Sequence, residues 1–559
     1  MTPSAFSHLL RRLGDYAEIR GAAEEATAWR RLASDLDRLG SSEARRLIDL
    51  VRRDALANLT TLPSSLHWKL REIVLDGPDM ADVGPDSIPW LLHRLVELRG
   101  VDTDKAAALA RLGIVTLNDL ETALEDGRIA THLQANEANL RRAVGAISRE
   151  HLRQPLGRAL DFAENLILLI AAACPEVEGL VPAGDVRRFE PIVESLVIVG
   201  SAPDPRSALE RISAIPMIQC AVHRTGRRAL VRYQQAEIDV RIVTRDEYGS
   251  ALHLATGSAA HVAAIRSSHP ASGVFAREED VYSRAGLTWI APELRQASGE
   301  VEAAASGSLP RLVTRSDIRG DLHMHTIYSD GRDSLSAMVH TAAALGYEYI
   351  AITDHSARAA ASRTVTVDAL ARQRDDIARI QETVPSMAIL HGIEVDIMPN
   401  GRLDFDDIVL ASLDIVLASL HDRAGHDAVR LTRRCLGAIR HPLVTIVTHP
   451  ANRLVGRDPG YDLDFPAIFA AAAETGTALE IDGAPSHLDL DGEHARAAVA
   501  AGATVAIDSD CHRASLLDRQ MRLGLGTARR GWVEARHVLN ARPLSEVRTF
   551  IDAKRGTRR

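Results

Sequence analysis

Cysteine is scarce. The four in 559 residues, Cys174, Cys220, Cys435 and Cys511, stand far apart with no CxxC pair. This argues against both a disulfide framework and a thiolate zinc site, and fits a reducing compartment. Aromatic residues make up only 4% of the chain, against 46% hydrophobic and 25% charged, an ordinary globular balance. Long apolar runs are missing: the longest, Leu166 to Cys174, is far too short to span a bilayer. No basic-then-apolar pattern opens the chain. A cytoplasmic protein with no membrane partner is therefore expected. A positive balance is absent as well. The formal charge of -9 gives no global nucleic-acid signature, although local basic patches can still bind phosphates and metal-binding carboxylates add to the negative count. The length implies about three or four domains.

The most informative stretch is Asp321 to Asp330, DLHMHTIYSD. His323 and His325 are two apart, so on a strand they share a face. Asp330 follows within reach. Two imidazoles and a carboxylate at a strand end form a divalent-metal site. The pattern then repeats after Ile318: a short apolar run, a ligand-type residue, a helix. It runs through YIAITDHS (His355), MAILHGIEVDI (Glu394), DIVLASLH (His421), LVTIVTHP (His449), ALEIDG (Glu480, Asp482) and TVAIDSDCH (Asp508, Asp510, His512). Helical stretches lie between, at Ser334 to Ala344, Val367 to Thr383, Asp427 to Arg440 and Phe465 to Thr475. Alternating strand and helix with fully apolar strands predicts a parallel sheet. About seven such units predict a closed or nearly closed barrel, whose strand C-termini converge on one face. Singly, Asp354 reads as a helix cap and Glu394 as an ion-pair partner; together the strand ends read as one metal centre.

The N-terminal third is helical, with amphipathic stretches at Ala22 to Leu39 and Ser41 to Ala57. From Leu91 to Ile129 a helix, a turn at Gly100, a second helix carrying Lys105, then LGI and another helix form a helix-hairpin-helix pattern. Such turns aim backbone N–H groups at DNA phosphates. Gly100 and Lys105 are the candidate DNA contacts, although Asp102 stands at the turn's second glycine position. A more worn hairpin spans Thr61 to Gly77. From Leu156 the pattern becomes mixed helix and strand. Residues 296–315, small, polar and proline-marked, are expected to be a linker.

Across nearly its whole length the chain resembles the bacterial family X DNA polymerases with a C-terminal PHP domain. The motifs are AGDVRRFEPIVESLVIVGSAPDPRSALERIS from Ala183, AEIDVRIV from Ala236, ALHLATGSAAHVAAIR, and the histidine-rich series after Asp321. The resemblance implies a multidomain α/β protein: a helical DNA-binding-like domain (1–90), a helix-hairpin-helix region (91–155), a nucleotidyltransferase-like α+β palm and thumb (156–295), the linker, and a distorted (βα)7 PHP barrel (316–559). It further implies that His323, His325, Asp330, His355, Glu394, His421, His449, Asp510 and His512 act through bound metals, up to three divalent ions. Nitrogen and oxygen ligands without thiolate suit manganese, zinc or iron. Arg453 and Arg457 match basic positions that clamp a phosphate. Cys511, between two of the ligand positions, reads as a buried spectator or as a point open to oxidation.

The palm departs from the family. Gly184 stands, but the serine after it is Asp185. Arg187 and Arg188 stand. The Asp-x-Asp positions fall on Ser195 and Val197, and only the third carboxylate, Asp239, is kept, followed by Arg241. Leu254 and Ala255 replace an aromatic pair, and Val262 an asparagine. Polymerisation on this fold needs two carboxylate-held metals, so the palm reads as degenerate. The expected function is metal-dependent phosphodiester hydrolysis on DNA, as a 3′–5′ exonuclease or 3′-end processor by metal-activated water. The alternatives are a phosphatase of histidinol-phosphatase type, a working gap-filling polymerase, and a DNA-binding scaffold.

Overall fold

The structure, a computed structural model, describes residues 3–19, 22–38, 66, 70, 88–97, 101, 103–129, 140–141, 153–234, 236–268, 273–359 and 363–556. Gly100, Asp102, the expected helix Ser41 to Ala57 and nearly all of Thr61 to Gly77 lie outside them. The chain divides into two compact units: Met1–Leu152 with Leu160–Gly184 and Glu194–Ala285, and Arg153–Ala159 with Asp185–Val193 and Gly286–Arg559.

In the first unit, helices Pro3–Ile19 and Ala23–Arg38 pack around Phe6, Leu10, Trp29 and Leu32. Helices Trp90–Glu97, Thr103–Arg111 and Leu117–Glu125 share a core of Leu91, Leu95, Leu109 and Leu120. The palm-like sheet comprises β1 (Glu178–Ala183), β2 (Leu196–Ser201), β3 (Ile218–Arg224), β4 (Arg228–Tyr233) and β5 (Ala236–Val243), in the order β1-β2-β5-β4-β3. β2 and β5 are parallel and the other neighbours antiparallel.

The second unit contains the expected barrel. Its strands are β6 (Gly320–Asp321), β7 (Tyr349–Ile352), β8 (Ala388–Asp396), β9 (Ile415–Ser419), β10 (Ile446–Val447), β11 (Ala478–Asp482) and β12 (Val505–Asp508). They pair in sequence order, all parallel. The gap between first and last is nearly closed: Met324 bridges Cys511, and the His325 N–H donates to the Cys511 carbonyl at 2.9 Å. Alternation along the strands sorts the side chains. Tyr349, Ala351, Leu390, Ile415, Leu417, Ile446, Ala478 and Ala506 fill the interior, with Val547 and Ile551 of the last helix, Leu544–Gly556, against them. The intervening residues Ile350, Ile393, Val416, Leu479 and Ile507 pack outward under the helices. Toward the C-terminal ends the inward series turns acidic, at Glu394, Glu480 and Asp508.

The barrel helices begin on polar caps. Ser334, Thr366, Asp427 and Asp464 each accept an N–H from the first turn, which satisfies donors that a helix start leaves open. Residues 296–315 differ from a linker. They hold helix Glu300–Ser306, with Val301 and Ala304 buried, and the Glu300 carboxylate accepts the N–H groups of Ala297 and Ser298 at 2.8 and 2.6 Å. A composition of small residues looks flexible, but EVEAAAS still offers a narrow apolar stripe.

At Gly320 a Cβ would stand 2.3 Å from the Tyr349 ring and 2.5 Å from its carbonyl oxygen. Tyr349 is wholly buried and its hydroxyl donates to the Arg542 carbonyl. Gly320→Ala should therefore destabilise the barrel by about 1–3 kcal/mol through overpacking, visible as a lowered melting temperature by differential scanning calorimetry.

Candidate metal centre

The nine side chains expected to carry the chemistry meet at the C-terminal mouth of the barrel. Around the first point, the Nε2 atoms of His323 and His325 lie 3.1 Å apart. Asp510 Oδ1 is 3.6 and 3.0 Å from them, and Glu394 Oε2 is 3.5 and 3.6 Å from them. The edges of a tetrahedron around a cation with ligand bonds near 2.1 Å are about 3.4 Å, so this spacing fits a bound ion. At a second point, Asp330 Oδ1 lies 3.5 Å from His355 Nε2 and 3.2 Å from His512 Nε2, with the His325 ring between theirs. At a third, Glu394 meets His355, His421 and His449 at 2.7, 3.4 and 3.0 Å.

Orphaned atoms support the same reading. His355 Nδ1 and Glu394 Oε2 approach closely without a hydrogen-bond alignment, and His325 Nδ1 is also buried without a partner. Buried polar atoms in native structures are normally paired, and a cation would complete these. The backbone is strained at two of the nine: His449 and Asp510 have φ of 24° and 48°. Non-glycine residues rarely adopt such values, and they cluster at functional sites.

Protons and charges are arranged around the centre. Burial lowers the His323 pKa, but Glu480, Glu394 and Asp510 outweigh it and hold it well above the ordinary imidazole value. Burial and the like-charged His512 and His355 push His325 down to about 3. Burial raises Glu394, yet the surrounding imidazoles hold it well below its usual range. Metal and proton compete for such donors, so metal affinity weakens with falling pH.

Residues behind the nine fix their tautomers. His323 Nδ1 donates to Glu480 Oε1 at 2.6 Å, and the other Glu480 oxygen accepts the His449 N–H at 2.8 Å. His421 Nδ1 donates to Asp396 at 2.5 Å. Asp354 accepts from Thr326, Ser329 and Gln373, which holds the loop after His325. Glu480 carried a visible signal, its place at a strand end. Asp396 and His487 carried none.

Arg453 does not face outward as a clamp. Its guanidinium donates to the carbonyls of His487 and Leu488 and pairs with Asp491; the nearby acceptors of the 484–491 loop have taken it. Arg457 is exposed, as is Lys105 on helix Thr103–Arg111. His487 is stacked on His449, ring centroids 5.5 Å apart, and burial with that neighbour pushes it down to about 4. Cys511 is buried, its thiol pushed up to about 12 by burial, which favours the spectator role.

In the palm, Val197 sits opposite Asp239 on the paired strands β2 and β5. Asp239 is 2% exposed. Arg228 grips both of its oxygens at 2.7 and 2.8 Å, and Arg241 adds bonds of 2.9 and 2.7 Å. Burial opposes ionisation, but these two guanidiniums hold the carboxyl down to about 2. Arg228 also reaches Asp119 and the Gly113 carbonyl, both at 2.8 Å. A cavity of about 700 Å³ opens beside them, lined by Arg228, Arg241, Leu254, Val262 and Arg266. Asp185, at the serine position, is bound by Arg188.

Glu480→Gln leaves the shape of the support but removes its charge. It should weaken metal binding about 10- to 100-fold, measured by chelator competition on the folded protein.

Residues 321–440 match the model of the PHP domain. The chain is 30% identical, over 97% of its own length and 98% of the relative's, to the DNA polymerase/3′-5′ exonuclease PolX of Bacillus subtilis (strain 168). Probable phosphatases are similar over about a third of the chain. One from Thermoanaerobacter sp. (strain X514) is 30% identical over 34% of this chain and 78% of its own. One from Shewanella oneidensis (strain MR-1) is 33% identical over 34% and 75%. The histidine- and carboxylate-lined barrel mouth and an end-to-end match to one relative together make this chain a member of the PolX family, an enzyme with metal-dependent phosphoesterase activity.

Proposed function

We propose that the barrel hydrolyses phosphodiesters at the 3′ end of DNA, as a 3′–5′ exonuclease or 3′-end processor, and that the palm places DNA without extending it. The observation that carries this is the convergence of five imidazoles, those of His323, His325, His355, His421 and His449, on Glu394. His323, His325, Glu394 and Asp510 would hold one divalent ion, Asp330, His355 and His512 another, and Glu394, His421 and His449 a third. Mixed nitrogen and oxygen donors favour manganese, zinc or iron. Such ions, when bound, make hydroxide from water near neutral pH and polarise phosphoryl oxygens.

The chain's own residues prepare the site. Glu480 and Asp396 keep the Nδ1 protons of His323 and His421 occupied, so their Nε2 lone pairs face inward. The barrel floor excludes water from below. Exposed Arg457 and Lys105, with Gly100, are the proposed phosphate contacts, and the helical modules up to residue 155 the proposed seat for duplex.

Two features argue against polymerisation. A serine and a valine occupy the positions of the metal carboxylates, and the remaining one is already neutralised by two arginines that cannot give up their protons. The phosphatase reading draws on the barrel-only relatives. The match of this chain to a DNA polymerase/3′-5′ exonuclease along its whole length favours DNA.

The test uses 5′-labelled recessed and gapped duplexes with Mn²⁺ and all four dNTPs. Shortening should occur and drop at least about 100-fold in His323→Ala. Primer lengthening would overturn the palm assignment. Turnover of small phosphomonoesters with DNA left intact would move the function to a phosphatase.

A further inference from the structure

His487 is a ring at the rim of the metal centre that coordinates nothing in the proposed ligand set. It lies in the loop between β11 and helix Gly492–Ala500, on the same face of the barrel as the ligand positions. Its ring stacks on His449 at 25°. The loop around it is held firmly. The His487 N–H donates to the Ala484 carbonyl at 2.9 Å, and the Val455 N–H donates to the Ser486 carbonyl at 2.8 Å. Arg453 secures the carbonyls of His487 and Leu488, and Leu488 itself takes a left-handed φ of 46°.

The tautomer follows from one contact. His487 Nδ1 lies 2.9 Å from the Arg453 carbonyl oxygen, which can only accept, so Nδ1 carries the proton. The neutral ring then presents Nε2 as a bare acceptor, and no group among the described residues donates to it. The half-buried ring lies against His449, one of the ligand positions of the centre. Bound ions would take up the ligand atoms of the centre, and the Arg453 guanidinium is taken up by the loop. His487 Nε2 is therefore an unclaimed acceptor on a ring stacked against a ligand position of the centre.

We propose that His487 Nε2 accepts a hydrogen bond from the 3′-hydroxyl of the terminal nucleotide, and so reads the end at which hydrolysis begins. This rests on the exonuclease reading above. It assigns His487 a recognition role with no proton transfer.

Two 5′-fluorescent oligonucleotides test it, one ending in a 3′-hydroxyl and one in a 2′,3′-dideoxynucleotide, each with a terminal phosphorothioate linkage to slow hydrolysis. Binding to the full-length, metal-loaded protein is followed by anisotropy. The hydroxyl end should bind about three- to tenfold tighter, the scale of one neutral hydrogen bond. In His487→Ala that ratio should fall to one. His487→Gln, which keeps an acceptor oxygen, should recover part of it. The ratio is taken within each protein, so a general loss of affinity does not imitate the effect. An alanine variant that discriminates like the parent overturns the proposal, as does a parent that digests DNA without discriminating. A parent that neither binds nor digests either oligonucleotide overturns the exonuclease reading itself.

Discussion

The second unit depends on how Glu394 is accommodated. The carboxylate is 1% exposed at the mouth of a barrel with an aliphatic interior. An ionised group there is costly unless it is paired. Its neighbours are His323, His325, His355, His421 and His449. They come from four other strand ends, so the carboxylate is solvated only once the strands are in register. Closing the barrel and assembling the site are then one event. His449 and Asp510, two of the ligand positions at strand ends, also take left-handed backbone.

The two units contrast in how they treat a buried carboxylate. Glu394 is surrounded by imidazoles, which can release a proton and offer a lone pair. Asp239 is surrounded by Arg228 and Arg241, which stay charged and have no lone pair to offer. The first environment is prepared for a cation from solution. The second already contains its counter-charge, and Arg228 also draws in Asp119 and Gly113 from the helical region. A single carboxylate in the sequence therefore says little about metal binding; its neighbours decide.

Much of the barrel was legible because its signals are local. Apolar runs ending in His, Asp or Glu mark the strands, and Ser334, Thr366, Asp427 and Asp464 mark helix starts within a residue. The metal-type residues were legible together because a parallel barrel brings all its strand ends to one face. Side-chain direction was harder to read. Arg453 looked like a phosphate clamp, but its partners are carbonyls 34 and 35 positions away. Asp396 is one of many acids until the fold places it beside His421. The helix Glu300–Ser306 was hidden by small residues that have weak periodicity but bury adequately in place.

All nine ligand-type residues fall between 323 and 512, within the second unit, while the altered palm positions Ser195 and Val197 and the retained Asp239 fall in the first. The two sets share no side chain. Mutations can accumulate at the palm carboxylates without disturbing any donor in the barrel, and selection can act on each half separately. A chain built this way can change the side chains of one site and leave every side chain of the other in place.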